Sequence, residues 1–390
     1  MRYRILTLNN ISASGLARLP SERYEVGPGI ERPDAILLRS ADLHGTAIAP
    51  EVQAVGRAGA GVNNIPVSQL SARGIPVFNT PGANANAVKE LVLAGLFLAA
   101  RNIGPAWLFA RALAGDDAAI DAAVEQGKKR FVGFELPGRT LGVVGLGAIG
   151  VEVANSALAL GMKVLGYDPQ LTVQRAWQLS SSVEQALSLE DVFARCEAVT
   201  VHVPLTEQTR RLVNTARLAL MNKSGGTVLN FARADIVDDA AVLAALDAGR
   251  LHAYVCDFPR NGLKDHPRVI TLPHLGASTG EAEENCAVMV AEQVRDFLEN
   301  GNIRNSVNYP EAVLPRAPNT TRLAVANRNV PNMVGQISTD LAAHGSNIAD
   351  LLNKSRGEYA YTLIDVDGVV GEALLAEIRA IDGVLSARIV

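Results

Sequence analysis

The stretch Leu141-Gly-Val-Val-Gly145-Leu-Gly147-Ala-Ile-Gly150 decides the fold of the larger part of this chain. Its apolar start predicts a buried strand, and the aliphatic side chains over 151–160 predict a helix packed on one face. Between them the three glycines have the GxGxxG spacing of a dinucleotide-binding turn. The first glycine permits the tight turn, the second lets backbone approach a pyrophosphate, and the third lets helix and strand pack closely. The motif alone also fits an ordinary glycine-rich turn, but the flanking strand and helix favour a dinucleotide.

The residue that ends the next strand selects between dinucleotides. A strand predicted over 163–167 ends at Asp168, 18 positions after Gly150. A carboxylate at this point accepts hydrogen bonds from both hydroxyls of an adenine ribose and repels a 2′-phosphate. The following residues, Pro169 and Gln170, offer no cation in its place. The sequence therefore predicts NAD, and not NADP, as the cofactor.

Strands and helices alternate on both sides of this motif, which predicts a parallel α/β architecture. Before the motif we predict a long helix over 85–103, and after the last strand a helix over 279–299. The predicted strands are 5–8, 35–38, 54–58, 77–79, 140–144, 163–167, 198–203, 227–231, 253–256 and 269–272. The last six, in this order, match the two mononucleotide-binding halves of a doubly wound sheet.

The composition changes after residue 305. Pro310, Pro315 and Pro318 interrupt a segment without periodicity, which predicts an extended linker. Beyond it we predict strands over 322–327, 347–354, 359–366 and 385–390, with helices over 333–344 and 372–381. The order βαββαβ is that of a ferredoxin-like fold. This tail is predicted to be a separate domain.

Composition limits the possible partners and the compartment. The chain has 390 residues, a formal net charge of −4 and three cysteines, none in a CxxC pair. The small charge gives no reason to expect nucleic acid or a membrane as partner. Sparse cysteine argues against disulfides and a metal site and suits a reducing compartment. The amino terminus shows no signal peptide, and Lys89 and Glu90 in the most apolar helix indicate a core helix. We therefore expect a soluble cytoplasmic protein that acts on a small molecule.

Two later segments carry side chains suited to hydroxy acid chemistry. Arg233 follows a predicted strand end, where a planar guanidinium binds a carboxylate with paired hydrogen bonds and polarises a neighbouring carbonyl. His274 follows the last strand of the sheet. Oxidation of an alcohol by hydride transfer requires the hydroxyl proton to leave, and histidine titrates in the right range to accept it. Taken alone, Arg233 also fits a surface ion pair and His274 a structural role.

Together these segments resemble the D-isomer-specific 2-hydroxy acid dehydrogenase family over about residues 30–305. The similar segments are GRAGAGVNNIP at 56–66, GLGAIG at 145–150, the Arg233 segment and PHLGAST at 273–279. The resemblance implies a Rossmann-type doubly wound cofactor domain, 85–277, inserted in a smaller flavodoxin-like α/β substrate domain, 1–84 and 278–308. A linker, 309–320, and the ferredoxin-like tail, 321–390, follow. It also implies cofactor contacts from Ala148, Ile149, Pro204, Ala232, Asp257 and Gly276, with Asp257 at the nicotinamide carboxamide.

Within the family, Arg39-Ser40, GRAGAGVNN and Asn79–Gly82 are most similar to members that oxidise 3-phosphoglycerate to 3-phosphohydroxypyruvate, the first step of serine synthesis. The resemblance makes Arg39 and Arg57 candidate phosphate ligands and Ser40 a further candidate substrate-binding residue. It also assigns the backbone amides of Ala60 and Gly61 to the substrate carboxylate. One alternative is another D-2-hydroxy acid dehydrogenase, such as a hydroxypyruvate or glyoxylate reductase, which would not need the cations at 39 and 57. A second is an NAD-binding module similar to the corepressors of this family.

One position departs from the family pattern. A glutamate normally supports the histidine, but this chain has Asn261 at or next to that position. Asn orients an imidazole but cannot offset its charge, so we expect a shifted pH optimum. Asp265, in the same loop, is a candidate substitute for the glutamate. If it supports His274, Asp265→Asn should lower turnover sharply.

The tail resembles an ACT domain, a small-molecule sensor that often pairs edge to edge in oligomers. In serine-regulated members of the family, a His-x-Asn after the first strand and an Asn after the first helix hold the effector. This chain has Asn327, Asn329 and Asn347 at these places, with Asn327 replacing the histidine. The resemblance implies either an amino acid effector such as serine or a structural role in assembly. It also implies a homodimer or homotetramer.

Overall fold

The computed structural model describes residues 2–9, 11–221 and 226–390. The strands are β1 (Tyr3–Leu8), β2 (Tyr24–Gly27), β3 (Ala35–Leu38), β4 (Ala54–Arg57), β5 (Val77–Phe78), β6 (Thr140–Val144), β7 (Lys163–Tyr167), β8 (Glu184–Gln185), β9 (Ala198–Val201), β10 (Thr227–Asn230), β11 (Ala253–Cys256), β12 (Val269–Thr271), β13 (Thr320–Arg328), β14 (Ile348–Arg356), β15 (Tyr359–Asp367) and β16 (Val384–Ile389).

The helices complete the alternating pattern. They are α1 (Ala13–Leu16), α2 (Val67–Ala72), α3 (Ala85–Ala100), α4 (Ile103–Arg111), α5 (Asp117–Gly127), α6 (Ala148–Ala159), α7 (Val173–Ala176), α8 (Leu189–Arg195), α9 (Thr215–Leu218), α10 (Asp239–Asp247), α11 (Gly280–Asn300), α12 (Met333–Ala343) and α13 (Glu372–Ala380), with 3₁₀ turns at Lys128–Phe131 and Ala234–Ile236.

The chain forms two compact units. Unit 1 combines Met1–Ala83 with Gly280–Val390, and unit 2 is Asn84–Thr279. The first sheet of unit 1 has the order β2-β1-β3-β4-β5, and its strands pair in parallel. This is the flavodoxin-like order that the family resemblance implies. The strand β2 was not predicted, because its sequence Tyr-Glu-Val-Gly has neither an apolar run nor clear alternation.

The sheet of unit 2 has seven strands in the order β12-β11-β10-β9-β6-β7-β8. The order reverses beside β6, which is the arrangement of a Rossmann-type doubly wound sheet. The six predicted strands are confirmed, with ends that differ by two residues or fewer. The added strand β8 has two exposed residues, so no apolar pattern marked it. All neighbouring pairs are parallel, and the carboxyl ends of the strands therefore share one edge.

The C-terminal sheet in unit 1 is antiparallel in the order β14-β15-β13-β16, which confirms the predicted ferredoxin-like topology. Alternate residues of β13 enter different cores. Leu323 and Val325 pack with residues of α12 and α13. Ala324 and Ala326 belong to the cluster that contains Phe297 of α11. Because side chains alternate across a strand, β13 is buried on both faces, one against α12 and α13 and one within the rest of unit 1.

The predicted linker is extended, and its first part, 309–314, is mostly buried. Tyr309, Ala312 and Leu314 are 0%, 1% and 8% exposed and belong to the same cluster as Phe297. Ala312 also forms an isolated antiparallel bridge with Ile303. The segment lacks periodicity because its apolar side chains fill gaps in a core instead of forming one face of a helix or strand. The predicted domain limits stay a prediction.

The helix predicted over 85–103 is broken. It ends at Ala100, because Asn102 has a φ of +51° that a continuous helix does not allow, and α4 starts at Ile103 after a bend of 68°. Within the described ranges, no single helix has the length and hydropathy needed to cross a membrane. The bent pair α3 and α4 meets these criteria together, by length and composition only.

Candidate active site

The candidate residues of unit 2 line one edge of its sheet. His274 follows β12, Asp257 follows β11, Arg233 follows β10, the turn at Gly145 follows β6, and Asp168 follows β7. Sheet order places them in this sequence across the edge, with β9 between β10 and β6. Neighbouring strands in a sheet are about 4.8 Å apart. The structure therefore gathers these side chains at the carboxyl edge, where doubly wound folds bind their ligands.

The three glycines of the turn differ in what a side chain at each position would meet. Gly145 has a φ of +90°, and its N–H donates to the Tyr167 carbonyl at 2.8 Å. A Cβ at Gly150 would overlap the carbonyl oxygen of Gly145. A Cβ at Gly147, by contrast, would meet no atom within 4 Å. Protein packing does not require glycine at 147, so this exposed position fits close approach by a phosphate group.

The helix α6 begins directly after Gly147, so its first amides lie beside that position. Ala148 and Ile149, both predicted cofactor contacts, are half-buried in its first turn. The free N–H groups and the dipole of a helix N-terminus favour anions. These features together fit the phosphates of a dinucleotide.

Asp168 is fixed beside the glycine turn. Its Oδ2 accepts from the N–H of Leu146 at 2.8 Å, and its Oδ1 accepts from the N–H of Gln170 at 2.8 Å. An ionised carboxylate offers about four acceptor positions, so two remain for the hydroxyls of a ribose. The geometry fits the predicted choice of NAD.

Asp168→Asn is expected to weaken NADH binding about tenfold or more, because a hydrogen bond to a charged acceptor is lost, and to reduce the discrimination against NADPH. Fluorescence titration with both nucleotides measures the two affinities. Asp121→Asn, a change of an exposed carboxylate on α5, serves as the matched control. An unchanged ratio of the NADH and NADPH affinities would remove Asp168 from cofactor selection.

Asp257 holds the loop that carries His274. The backbone N–H of His274 donates to the Asp257 carbonyl at 3.0 Å, and the N–H of Gly276 donates to Asp257 Oδ2 at 3.1 Å. His274 has a φ of +52°, and its ring packs edge-on against Phe258 with centroids 5.3 Å apart. These contacts fix the histidine loop from the adjacent strand end.

The Asp257 carboxylate is itself buried, with 1% of the residue exposed. Burial raises its pKa, while the N–H of Gly276 and the charges of His274 and Arg233 act in the opposite direction. Its Oδ1 has no hydrogen-bond partner within the described part of the chain. A buried acceptor without a partner is costly, so this oxygen fits an amide donor such as the nicotinamide carboxamide.

Asn230 holds the loop that carries Arg233. It is fully buried, its Nδ2 donates to the Arg233 carbonyl at 2.9 Å, and its Oδ1 accepts from the N–H of Ala232 at 3.1 Å. The guanidinium of Arg233 is exposed and donates to the Ala232 carbonyl at 2.6 Å. Sequence reasoning missed this role of Asn230, although short amide side chains at strand ends commonly bond to nearby backbone.

The structure does not bring Asp265 to His274. Both oxygens of Asp265 accept from Lys264 Nζ, at 3.0 and 2.9 Å, and the side chain is 79% exposed. Within residues 226–390, no hydrogen bond joins it to the imidazole. Consecutive turns over 261–265 direct this carboxylate and Asn261 to the surface. The carboxylate that contacts the His274 loop is Asp257.

A second histidine lies next to the glycine turn and was not predicted. The N–H of His202, just after β9, donates to the Val144 carbonyl at 2.7 Å, and its Nε2 lies 2.9 Å from Thr200 Oγ1. Burial lowers the pKa of His202 to about 4, so the ring is neutral at physiological pH. The sequence feature that could have identified His202 is its position at the end of a predicted strand. Pro204, a predicted cofactor contact, is exposed two residues later.

The candidate substrate residues of unit 1 also lie at neighbouring strand ends. Arg39 follows β3, and Arg57 ends β4 as the register partner of Leu38. Arg39 Nη1 lies 2.8 Å from Glu283 Oε1, and the guanidinium of Arg57 covers Gly59, where a Cβ would overlap it. Ser40, next to Arg39, is exposed.

The loop after β4 leaves two backbone donors open. Asn79 Nδ2 donates to the Ala60 carbonyl at 2.7 Å, and the N–H of Thr80 donates to the Gly59 carbonyl at 3.1 Å. The N–H groups of Ala60 and Gly61 donate to no acceptor among the described residues. Because backbone donors normally find partners, these two fit the predicted binding of a substrate carboxylate.

The structure does not bring the predicted effector residues together. Asn327 pairs with Ala360, and Asn329 Nδ2 donates to the Gly357 carbonyl at 3.1 Å, both at one end of the sheet. Asn347 Nδ2 donates to Asp367 Oδ2 at 2.8 Å, at the other end. At 3.3 Å per residue the two ends are roughly 20 Å apart. One copy of the tail therefore does not place all three around one small ligand.

Among the residues that the structure describes, no group of three or more His, Cys, Asp and Glu side chains is arranged to hold a metal ion.

Comparison with known proteins gives a consistent group of relatives. Residues 104–276 match the D-isomer specific 2-hydroxyacid dehydrogenase, NAD binding domain. The chain is 33% identical to the D-3-phosphoglycerate dehydrogenase of Haemophilus influenzae over 355 residues, which is 87% of this chain and 82% of that protein. It is 36% identical to the D-3-phosphoglycerate dehydrogenase of Archaeoglobus fulgidus over 301 residues, 74% of this chain but only 54% of that longer protein. Among solved structures, the apo D-mandelate dehydrogenase of Rhodotorula graminis matches with a TM-score of 0.67 and 23% identity, over 81% of this chain and 100% of that one.

Proposed function

Because this chain belongs to the D-isomer-specific 2-hydroxyacid dehydrogenase family, we propose that it oxidises 3-phosphoglycerate to 3-phosphohydroxypyruvate with NAD. The identity of the substrate rests on one observation, which is that Arg39 and Arg57 lie at neighbouring strand ends. A substrate with a phosphate needs such cations, whereas an unphosphorylated hydroxy acid does not.

The roles of the site residues follow from their chemistry. Arg233 binds the substrate carboxylate with paired hydrogen bonds and polarises the bond between C2 and its oxygen. His274 accepts the C2 hydroxyl proton, and Asp257 keeps the histidine loop in position through the bonds to His274 and Gly276. When bound, NAD supplies the acceptor for the hydride. Gly147, the start of α6 and Asp168 hold its phosphates and adenine ribose.

The test is a substrate panel. We expect NAD reduction with 3-phosphoglycerate, and we expect Arg39→Gln with Arg57→Gln to lower kcat/KM for it by about 100-fold or more, because two charge-assisted contacts are lost. Turnover of D-glycerate should change little. Arg250→Gln, at an exposed position of unit 2, is the matched control.

Two results would contradict the proposal. If glyoxylate or hydroxypyruvate is the preferred substrate and the double variant is fully active, the chain is a reductase of unphosphorylated acids. If NAD binds but no 2-hydroxy acid is turned over, the corepressor-like alternative is favoured.

The role of the tail is a further part of this proposal. An amino acid such as serine would bind with Asn327 and Asn329 of one copy and Asn347 of a second copy, since one copy separates them. This requires a homodimer or homotetramer. The substrate panel, run with and without serine, tests the effector, and sedimentation tests the assembly. The cytoplasmic location stays a prediction.

A further inference from the structure

The candidate phosphate ligand Arg39 already has an anionic partner. Glu283, in the first turn of α11, places its Oε1 2.8 Å from Arg39 Nη1. The Glu283 side chain is 50% exposed and that of Arg39 30% exposed, so both are accessible to solvent and to a ligand. An exposed ion pair of this kind contributes little to stability. The pair therefore adds little to the stability of the fold, and a ligand can replace this contact at low cost.

The pair is part of a small charged cluster. Cys286 follows Glu283 by one turn of α11 and is buried. Burial raises the pKa of the Cys286 thiol, the guanidinium groups of Arg39 and Arg57 oppose this rise, and Glu283 adds to it. Two guanidinium groups and one carboxylate therefore lie close enough to influence the same thiol.

A phosphate group entering this cluster would meet the Glu283 carboxylate. If the phosphate binds Arg39 Nη1, the ion pair between Glu283 and Arg39 must break. If Glu283 stays, two anions lie within a few ångströms of each other. Both events lower the affinity for a phosphorylated ligand, and neither affects a ligand without a phosphate.

We propose that Glu283 is a specificity-determining residue, which competes with the substrate phosphate for Arg39 and so limits the affinity for phosphorylated relative to unphosphorylated hydroxy acids. This rests on the proposed function for the identity of the substrate. It does not rest on the chemistry of unit 2. A lower affinity for the phosphate favours release of the phosphorylated product, and product release limits kcat in many enzymes.

Glu283→Gln separates charge from shape. Glutamine keeps the length of the side chain and an acceptor for Arg39, but it removes the negative charge. We expect the dissociation constant for 3-phosphoglycerate to fall by about 3- to 10-fold in this variant, and its dependence on salt to become steeper. Affinity for D-glycerate should stay within about twofold, because its single charge is a carboxylate assigned to Ala60, Gly61 and Arg233 and not to Arg39.

The experiment is calorimetric titration of the protein without NAD, using 3-phosphoglycerate, D-glycerate and inorganic phosphate. Glu281→Gln, in the same first turn of α11, is the matched control and should resemble the unmodified protein. Glu283→Ala shows the effect of losing charge and contact together. Since binding is measured without turnover, tight binding of 3-phosphoglycerate without its oxidation would reject the proposed function and leave this inference in place.

Three outcomes would overturn the inference. The first is a higher dissociation constant for 3-phosphoglycerate in Glu283→Gln, which would make Glu283 only a positioning residue for Arg39. The second is an equal gain for D-glycerate and 3-phosphoglycerate. The third is the absence of phosphate binding in both the unmodified protein and the variant.

Discussion

His274→Asn is expected to lower kcat for 3-phosphoglycerate by about 100- to 10,000-fold, the usual contribution of a general base, and to leave NADH binding nearly unchanged. The imidazole is the group proposed to accept the hydroxyl proton, and an amide cannot accept it at neutral pH. Asparagine is the suitable replacement because it tolerates the left-handed backbone, here a φ of +52°. The hydrogen bonds that hold the loop come from the backbone N–H groups of His274 and Gly276, so they survive the change, and only the ring contact with Phe258 is lost.

Steady-state kinetics with 3-phosphoglycerate measures the loss, and NADH titration verifies that the cofactor site is intact. Asp265→Asn is the informative comparison. Because Asp265 contacts Lys264 and is mostly exposed, we now expect it to change kcat by less than about twofold, unlike a supporting carboxylate at the active site. A His274→Asn variant that retains kcat within about threefold would rule out the general-base role.

The sequence resemblance places Asn261 at or next to the position of the family glutamate, and in the structure the Asp257 carboxylate contacts the His274 loop. One Asp257 oxygen holds Gly276, and the other has no partner among the described residues. We therefore propose that Asp257 both positions the loop and accepts a hydrogen bond from a bound ligand. The predicted shift of the pH optimum remains a prediction, and the pH profile of kcat in the same assay tests it.

Much of the fold was predictable because local patterns matched the global structure. The glycine turn, the six strands of unit 2 and the βαββαβ tail each have a short-range signal in apolar periodicity and turn residues. Placement at the ends of parallel strands then follows from topology alone, which is why Arg233, His274 and Asp257 share one edge.

Pairings between distant segments were not predictable in this way. Nothing in the local sequence indicates that Arg39 meets Glu283, since the two are brought together only by packing of α11. Asp265 was chosen from proximity along the chain, but the turns of its loop point it to solvent. The burial of Arg322 was also not predictable. This residue begins the predicted apolar strand 322–327, and no local pattern indicated that its charged side chain would be fully buried.

Asp365→Asn is expected to lower the free energy of unfolding of unit 1 by about 3–5 kcal/mol, because it leaves the Arg322 charge buried without its counterion. Both residues are 0% exposed, and the guanidinium makes two bonds to Asp365, at 2.6 and 2.7 Å. It also donates to the carbonyls of Asn300, Leu314 and Pro315. This one side chain therefore joins β13 to the end of α11 and to the buried segment after it.

The expected consequence is a loss of stability concentrated in the tail. Hydrogen exchange of peptides from β13 and β15, together with urea unfolding at neutral pH, measures it. Asp382→Asn, at an exposed position between α13 and β16, is the matched control. A change below about 1 kcal/mol in Asp365→Asn would show that water or a rearranged partner compensates the guanidinium.

The pH dependence of this pair has a definite sign. Burial raises the pKa of Asp365, but the Arg322 guanidinium and the Ala317 N–H lower it by more, so the folded-state pKa is below its ordinary value. The stabilisation is therefore present above the unfolded-state pKa of about 3.9 and is lost as the pH falls through the lower folded-state value. In the unmodified protein, acidification through this range should destabilise the tail.

Asp365→Asn lacks this component, so the stability difference between the two proteins should shrink as the pH falls. A difference that stays constant down to the acid limit would mean that the pair contributes by shape and not by charge.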